Sequence, residues 1–209
     1  MMKLAQALPM EIEHRSFEII TEEMGPHHFS QKELPVVKRV IHTSADFDYV
    51  QNLTFTENAV EAGLSALQKG ATVVTDTNMA KAGINKKILA ELGGTAECFM
   101  ADPDVEKLAK SAGTTRAVAS MEKAASLPGP LIFAVGNAPT ALIKLYELIT
   151  QKQLEPALVI GVPVGFVNVV EAKELILGAK VPAIVARGRK GGSNVAAAIV
   201  NALLYQIKR

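Results

Sequence analysis

The chain has 209 residues, with 22 Lys and Arg against 21 Asp and Glu. A net charge of +1 argues against a nucleic-acid surface and an acidic disordered tail, and with no Trp there is little basis for base-stacking platforms. Hydrophobic residues make up 49%, yet no apolar run reaches membrane-spanning length without a Gly, Pro or charge. The expectation is one cytoplasmic domain that partners neither nucleic acid nor membrane. The N-terminal stretch is broken by Pro9, Glu11 and Glu13, unlike a secretory leader. Cys98 is the single cysteine, which excludes an internal disulfide and a thiolate metal cluster. Within Glu97-Cys98-Phe99-Met100 it reads as a small buried hydrophobe.

Residues 9–24, PMEIEHRSFEIITEEM, read as an amphipathic helix followed by a loop. In VIHTS (40–44) the β-branched Val40 and Ile41 predict an extended, half-buried segment ending at His42. From residue 57 helices and short apolar strands alternate. Helix 57–70 closes at Gly70, and ATVVTDT (71–77) is a buried strand. Helix 78–94 is interrupted at Gly83, and TAECFM (95–100) is the second strand. Helices 105–113 and 114–126 are split at Gly113, and 129–135 is the third strand. Helix 138–151, strand 156–164, helix 167–179, strand 181–187 and helix 191–206 complete the series.

Continuous apolar strands are those of a parallel sheet covered on both faces. The predicted fold is therefore α/β, a three-layer α/β/α sandwich with right-handed crossovers and a mostly parallel five-stranded sheet. It forms a single domain over 1–209, an N-terminal helix and loop (1–56) preceding a doubly wound core (57–209). In such sheets ligands sit beyond the carboxyl ends of the strands. That rule selects TDTNM, the turn after ECFM, GNAPT, GVPVGF and RGRKGGSN.

Each stretch has a chemical and a plain structural reading. In GNAPTAL, Gly136 permits close backbone approach, Asn137 can cap a helix, and free amides at the helix start favour an anion. An ordinary well-capped turn explains it equally well. RGRKGGSN lacks the upstream glycine of a nucleotide-binding P-loop. Its cluster of Arg187, Arg189 and Lys190 beside Gly191, Gly192 and Ser193 still suits carboxylates or phosphates, against the alternative of a solvated basic loop. Gly161 and Gly165 flank Val162-Pro163-Val164, where backbone could lie flat on a large ligand or form a bulge. The histidines 14, 27, 28 and 42 have no metal-ligand spacing, and no GxSxG elbow supplies a serine nucleophile. His42 is left as a lone acid/base or a satisfied structural residue.

Read together, SFEII, RVIHTSADFDY, TDTNMAKAGI, TTRAVAS, FAVGNAPTAL, PALVIGVPVGFVNVVEAKE and ARGRKGGSNVAAAIVNAL resemble the precorrin-8X methylmutase family, whose cobalt-early members are cobalt-precorrin-8 methylmutases. The resemblance runs from about Pro9 to Leu204. It implies an isomerase of cobalamin biosynthesis that moves a methyl group from C11 to C12 of a corrinoid ring. The product is hydrogenobyrinic acid, or cobyrinic acid when cobalt is present. It also implies a homodimer with the ligand near the subunit interface, and no separate cofactor or protein-bound metal.

The family's proton donor matches His42. Ser16 matches a serine near the ring, Arg116 an arginine suited to a carboxylate, and Asn78 and Met79 a DxNM-like turn. The loop glycines, Asn137, Arg189, Lys190 and Ser193 are the expected contacts to the ring and its carboxylate rim. Many members have Thr-Arg where this chain has Asn85-Lys86, and HTSADFDY leans toward the cobalt-early branch. A non-catalytic tetrapyrrole carrier is the alternative. A nucleotide-dependent enzyme would need a GxGxxG or GxxxxGK[ST] turn where the chain has TDTNM.

Overall fold

The computed structural model describes residues 9–208, with side chains from residue 11. The chain begins with α1 (Pro9–Glu23), α2 (Leu34–Ser44) and α3 (Tyr49–Asn52), which leads into β1 (Leu53–Phe55). The alternating region then runs α4 (Ala59–Gln68), β2 (Thr72–Thr75), α5 (Asn78–Gly83), α6 (Lys86–Glu91) and β3 (Thr95–Glu97). It continues with α7 (Pro103–Ser111), α8 (Arg116–Ala125), β4 (Leu131–Val135), α9 (Pro139–Thr150) and β5 (Leu158–Gly161). Last come α10 (Val169–Gly178), β6 (Ala183–Ala186) and α11 (Ser193–Ile207).

Among the described residues six strands form one sheet in the order β1-β6-β5-β4-β2-β3. The strands β2 to β6 are parallel, and β1 joins β6 antiparallel. The sheet thus has one strand more than the five expected. Three-residue β1, with its LTF sequence, is too short to show period-2 alternation.

The strand residues divide by parity. Ile132 and Ala134 face one apolar cluster with α2, α4 and α11. Leu131, Phe133 and Val135 face a second with α8, α9 and α10. Side chains alternate across a strand, so two covered faces demand an apolar residue at every position. That is why β4, β5 and β6 are buried from end to end. Cys98 is buried as expected, at 8% exposure.

The VIHTS segment is helical, not extended. Val36, Val37, Val40 and Ile41 recur at helical spacing, and all four are at most 1% exposed in α2. A proline in its first turn starts the helix, and Ala45, at φ +53°, ends it. β-Branching at Val40 and Ile41 points to a strand, but burial of the whole four-residue stripe against α11 and α1 decides the conformation.

α11 starts at the carboxyl end of β6 and runs back along the sheet. Leu34, Pro35, Lys38 and Arg39 of α2 border Tyr205 and Gln206, whereas Thr43 borders Asn194 and Ala197. α2 is therefore antiparallel to α11, and His42 is delivered to the carboxyl edge of the sheet.

Candidate functional site

From β2 the chain steps outward to β3, then crosses back to β4 on the other side of β2. The carboxyl ends of β2 and β4 consequently flank a topological switch point, where an open α/β sheet forms its crevice. A side chain of the protein fills this position. Asp76 is fully buried, and its carboxylate accepts the N–H groups of Gly136 (2.8 Å), Asn137 (2.8 Å) and Ala138 (2.6 Å). Burial pushes the Asp76 carboxyl above its ordinary range, and the three amides pull the other way. The amides of GNAPT are thus not free, and the anion they favour is Asp76. Asn137 itself is exposed, with its side chain available to a ligand.

The neighbouring loops are fastened to this turn. Thr77 caps α5 by accepting from the Ala80 N–H, and its hydroxyl lies 2.7 Å from the Ser193 hydroxyl. Gly192 N–H donates to Val162 O at 2.9 Å, and Gly165 N–H to Arg189 O at 3.2 Å. TDTNM, GNAPT, GVPVGF and RGRKGGSN therefore form one connected rim.

The glycines of this rim have separate causes. A Cβ on Gly136 would come within 2.7 to 2.8 Å of backbone atoms of Gly192 and Ser193, which cannot yield as a side chain could. Gly191, at φ +159°, has the Val162 carbonyl where a Cβ would stand. Gly161 is buried against Leu142 and Val185, so it serves packing and offers no surface to a ligand. Gly136→Ala should therefore lower unfolding free energy by about 1–3 kcal/mol, measured by urea denaturation, because overpacking here displaces backbone.

The cations of the basic loop are mostly committed. Lys190 Nζ lies 2.6 Å from both Asp46 and Asp48, which raises its own pKa through those hydrogen bonds and lowers that of Asp46. Arg187 pairs with Glu174 at 3.3 Å. Arg189 lies 5.5 Å over the ring of Phe166, without a carboxylate partner among the described residues. Of the three cations expected to bind anions, Arg189 is the one left uncommitted. Lys190 instead ties the segment after α2 to the loop before α11.

His42 occupies the last turn of α2 with its ring exposed. It stacks on Phe17 of α1, centroids 5.2 Å apart and planes 21° from parallel. His42 and Ser16 line a shared pocket of about 290 Å³ with Ile19, Ile41 and Phe47. The Ser16 hydroxyl donates to Ile12 O at 2.7 Å, so its oxygen is free to accept. Asn78 and Met79 are exposed at the start of α5, Met79 at 72%. Arg116 is apart from this group, on the first turn of α8, paired with Glu106 at 3.1 Å. Asn85 caps α6 and hydrogen-bonds Asn201, so its polar atoms serve the fold. Nothing in the local sequence marks Lys173, and Asp76 is marked only as the first position of the DxNM-like turn. A charged residue directly after a buried strand is the signal that would have found Asp76.

The model of the precorrin-8X methylmutase family matches residues 11–206. The cobalt-precorrin-8 methylmutase of Priestia megaterium is 47% identical over 195 residues, covering 93% of this chain and 87% of that protein. The Salmonella typhimurium cobalt-precorrin-8 methylmutase is 45% identical over 206 residues, 96% of each chain. The Pseudomonas aeruginosa precorrin-8X methylmutase is 38% identical over 167 residues, 79% of this chain and 80% of that one. The crystal structure described as precorrin-8x methyl mutase from Thermus thermophilus has a TM-score of 0.85 at 45% identity, covering 93% of this chain and 96% of its own.

Proposed function

Since the chain belongs to the precorrin-8X methylmutase family, we propose that it is an isomerase of cobalamin biosynthesis acting on cobalt-precorrin-8. The observation that carries the reading is His42. It is exposed on a pocket it shares with Ser16, at the sheet edge where Arg189 and Phe166 also stand. His42 protonates the conjugated ring, which makes the macrocycle electron-poor and lowers the barrier to migration. The C11–methyl bond breaks as the C12–methyl bond forms, and the proton then returns to His42. Atoms and electrons balance without a redox partner. The Phe17 stack fixes the imidazole plane, so the acid meets the ring pre-oriented. Arg189 receives a carboxylate of the rim, and the apolar Phe166 supports the ring beside it.

The cobalt form is favoured by the HTSADFDY segment, together with cobalt-precorrin-8 methylmutases among the relatives, those of Priestia and Salmonella at 47% and 45% identity. A homodimer belongs to the same proposal. The His42 pocket, about 290 Å³, is small for burying a tetrapyrrole, while Phe166, Val167 and Met79 are 82%, 77% and 72% exposed. A second copy would complete the enclosure, and light scattering at twice the chain mass is the expected result. A cytoplasmic location accompanies the reading, with Cys98 as a buried free thiol. Among the described residues no helix is long and apolar enough to cross a membrane.

The test is anaerobic absorbance spectroscopy with cobalt-precorrin-8 and precorrin-8 in parallel. Conversion of both, faster with the cobalt form, is expected. Pigment bound without spectral conversion would replace the enzyme by a tetrapyrrole carrier.

A further inference from the structure

Lys173 lies on α10 and is fully buried, among the largest side chains with no exposure. Its Nζ donates to Gly188 O at 2.7 Å and to Lys190 O at 2.8 Å. Burial alone pushes its pKa down to about 8. A methionine would fill similar volume without bringing a charge out of water. The lysine is therefore explained by what it holds, the loop 187–192.

That loop carries Gly188, Gly191 and Gly192 at φ +75°, +159° and +142°. It is tethered at its start by the Arg187 N–H to Asn52 O (2.8 Å), and its middle carbonyl, Arg189 O, accepts from Gly165 N–H. With no cis peptide in the described chain, the carbonyl and N–H of each peptide unit point in opposite directions. Drawing the carbonyls of residues 188 and 190 onto one ammonium turns the N–H groups of Arg189 and Gly191 away from it. Arg189, between these two held carbonyls, lies over the Phe166 ring.

We propose that Lys173 is a positioning residue, whose buried amine holds the Gly188 and Lys190 carbonyls so that the loop presents Arg189 to a carboxylate of the substrate. This rests on the methylmutase reading. Lys173 touches no substrate and acts through Arg189.

The experiment is a double-mutant cycle on the full chain, with kcat and KM for cobalt-precorrin-8 measured for wild type, Lys173→Met, Arg189→Ala and the double variant. Hydrogen exchange of the Arg187, Gly192 and Gly165 amides, which bond the loop to its surroundings, is followed in the same four proteins. Lys173→Met should raise KM about tenfold with kcat within about twofold, an effect of about 1.4 kcal/mol. The double variant should be no worse in KM than Arg189→Ala, because both act on one interaction. Exchange in the loop should accelerate about tenfold or more in Lys173→Met. Lys173→Gln, which keeps two N–H donors on a shorter arm, should recover part of both effects and replaces Lys173→Met if that variant does not fold.

An unchanged KM, multiplying KM effects in the double variant, or unaltered loop exchange would overturn the role of Lys173. A wild-type protein that fails to convert the pigment would instead overturn the methylmutase reading, and loop exchange would still decide the role of Lys173 in holding the loop.

Discussion

His42→Ala is expected to lower kcat for cobalt-precorrin-8 by about 10²–10⁴-fold, the usual contribution of a positioned general acid. The ring is exposed on its pocket and its stack on half-buried Phe17 covers little surface, so thermal stability should change little. Product affinity, read by absorbance titration with cobyrinic acid, should stay within about threefold of wild type, since Arg189 and the loop backbone are untouched. The separation matters. A loss of kcat with retained affinity assigns chemistry to His42, whereas a parallel loss of affinity would make it a docking residue. Full activity in the alanine variant would return His42 to a structural role beside Phe17.

Asp76→Ala should be the most destabilising single change at the site, costing about 2–4 kcal/mol in urea unfolding. The loss arises because three N–H groups, from Gly136, Asn137 and Ala138, give up one charged acceptor, and the Gly136 amide is buried. Removing a desolvated carboxylate offsets part of this, which keeps the figure below the sum of three lost bonds. Asp76→Asn should fall between wild type and alanine. It keeps one accepting oxygen but directs N–H groups at N–H groups. Activity should fall further than stability explains, because the GNAPT turn supports Gly192 and Ser193 through Gly136. An alanine variant within about 1 kcal/mol of wild type would show that water satisfies the turn equally well.

The doubly wound part of the fold is legible because β4, β5 and β6 are apolar at every position, and Gly70, Gly93 and Gly113, at positive φ, follow the ends of α4, α6 and α7. The front of the chain was harder. In VIHTS two β-branched residues point to a strand, whereas the stripe that makes it a helix starts at Val36 and depends on α11, more than a hundred residues away. β1 is defined by its pairing with β6, which no local pattern encodes. The site divides in the same way. The carboxyl-end rule located the loops, and His42 and Ser16 do share a pocket. The roles within the loops depend on long-range partners. The GNAPT amides are taken by a residue 60 or more positions earlier, and Lys190 by acids 142 and 144 positions earlier. Lys173, within VEAKE, looks like any helix-surface lysine until the fold closes over it.

The rims of the sheet bear on how this protein meets others. Each outermost strand, β1 on one side and β3 on the other, is three residues long. A rim that short offers few unpaired backbone groups, which discourages another chain from continuing the ladder. The homodimer proposed above would then form through helices and loops, by shape and side-chain chemistry. The carboxyl-edge rim, from which Phe166 and Val167 project, would be the surface for such contact.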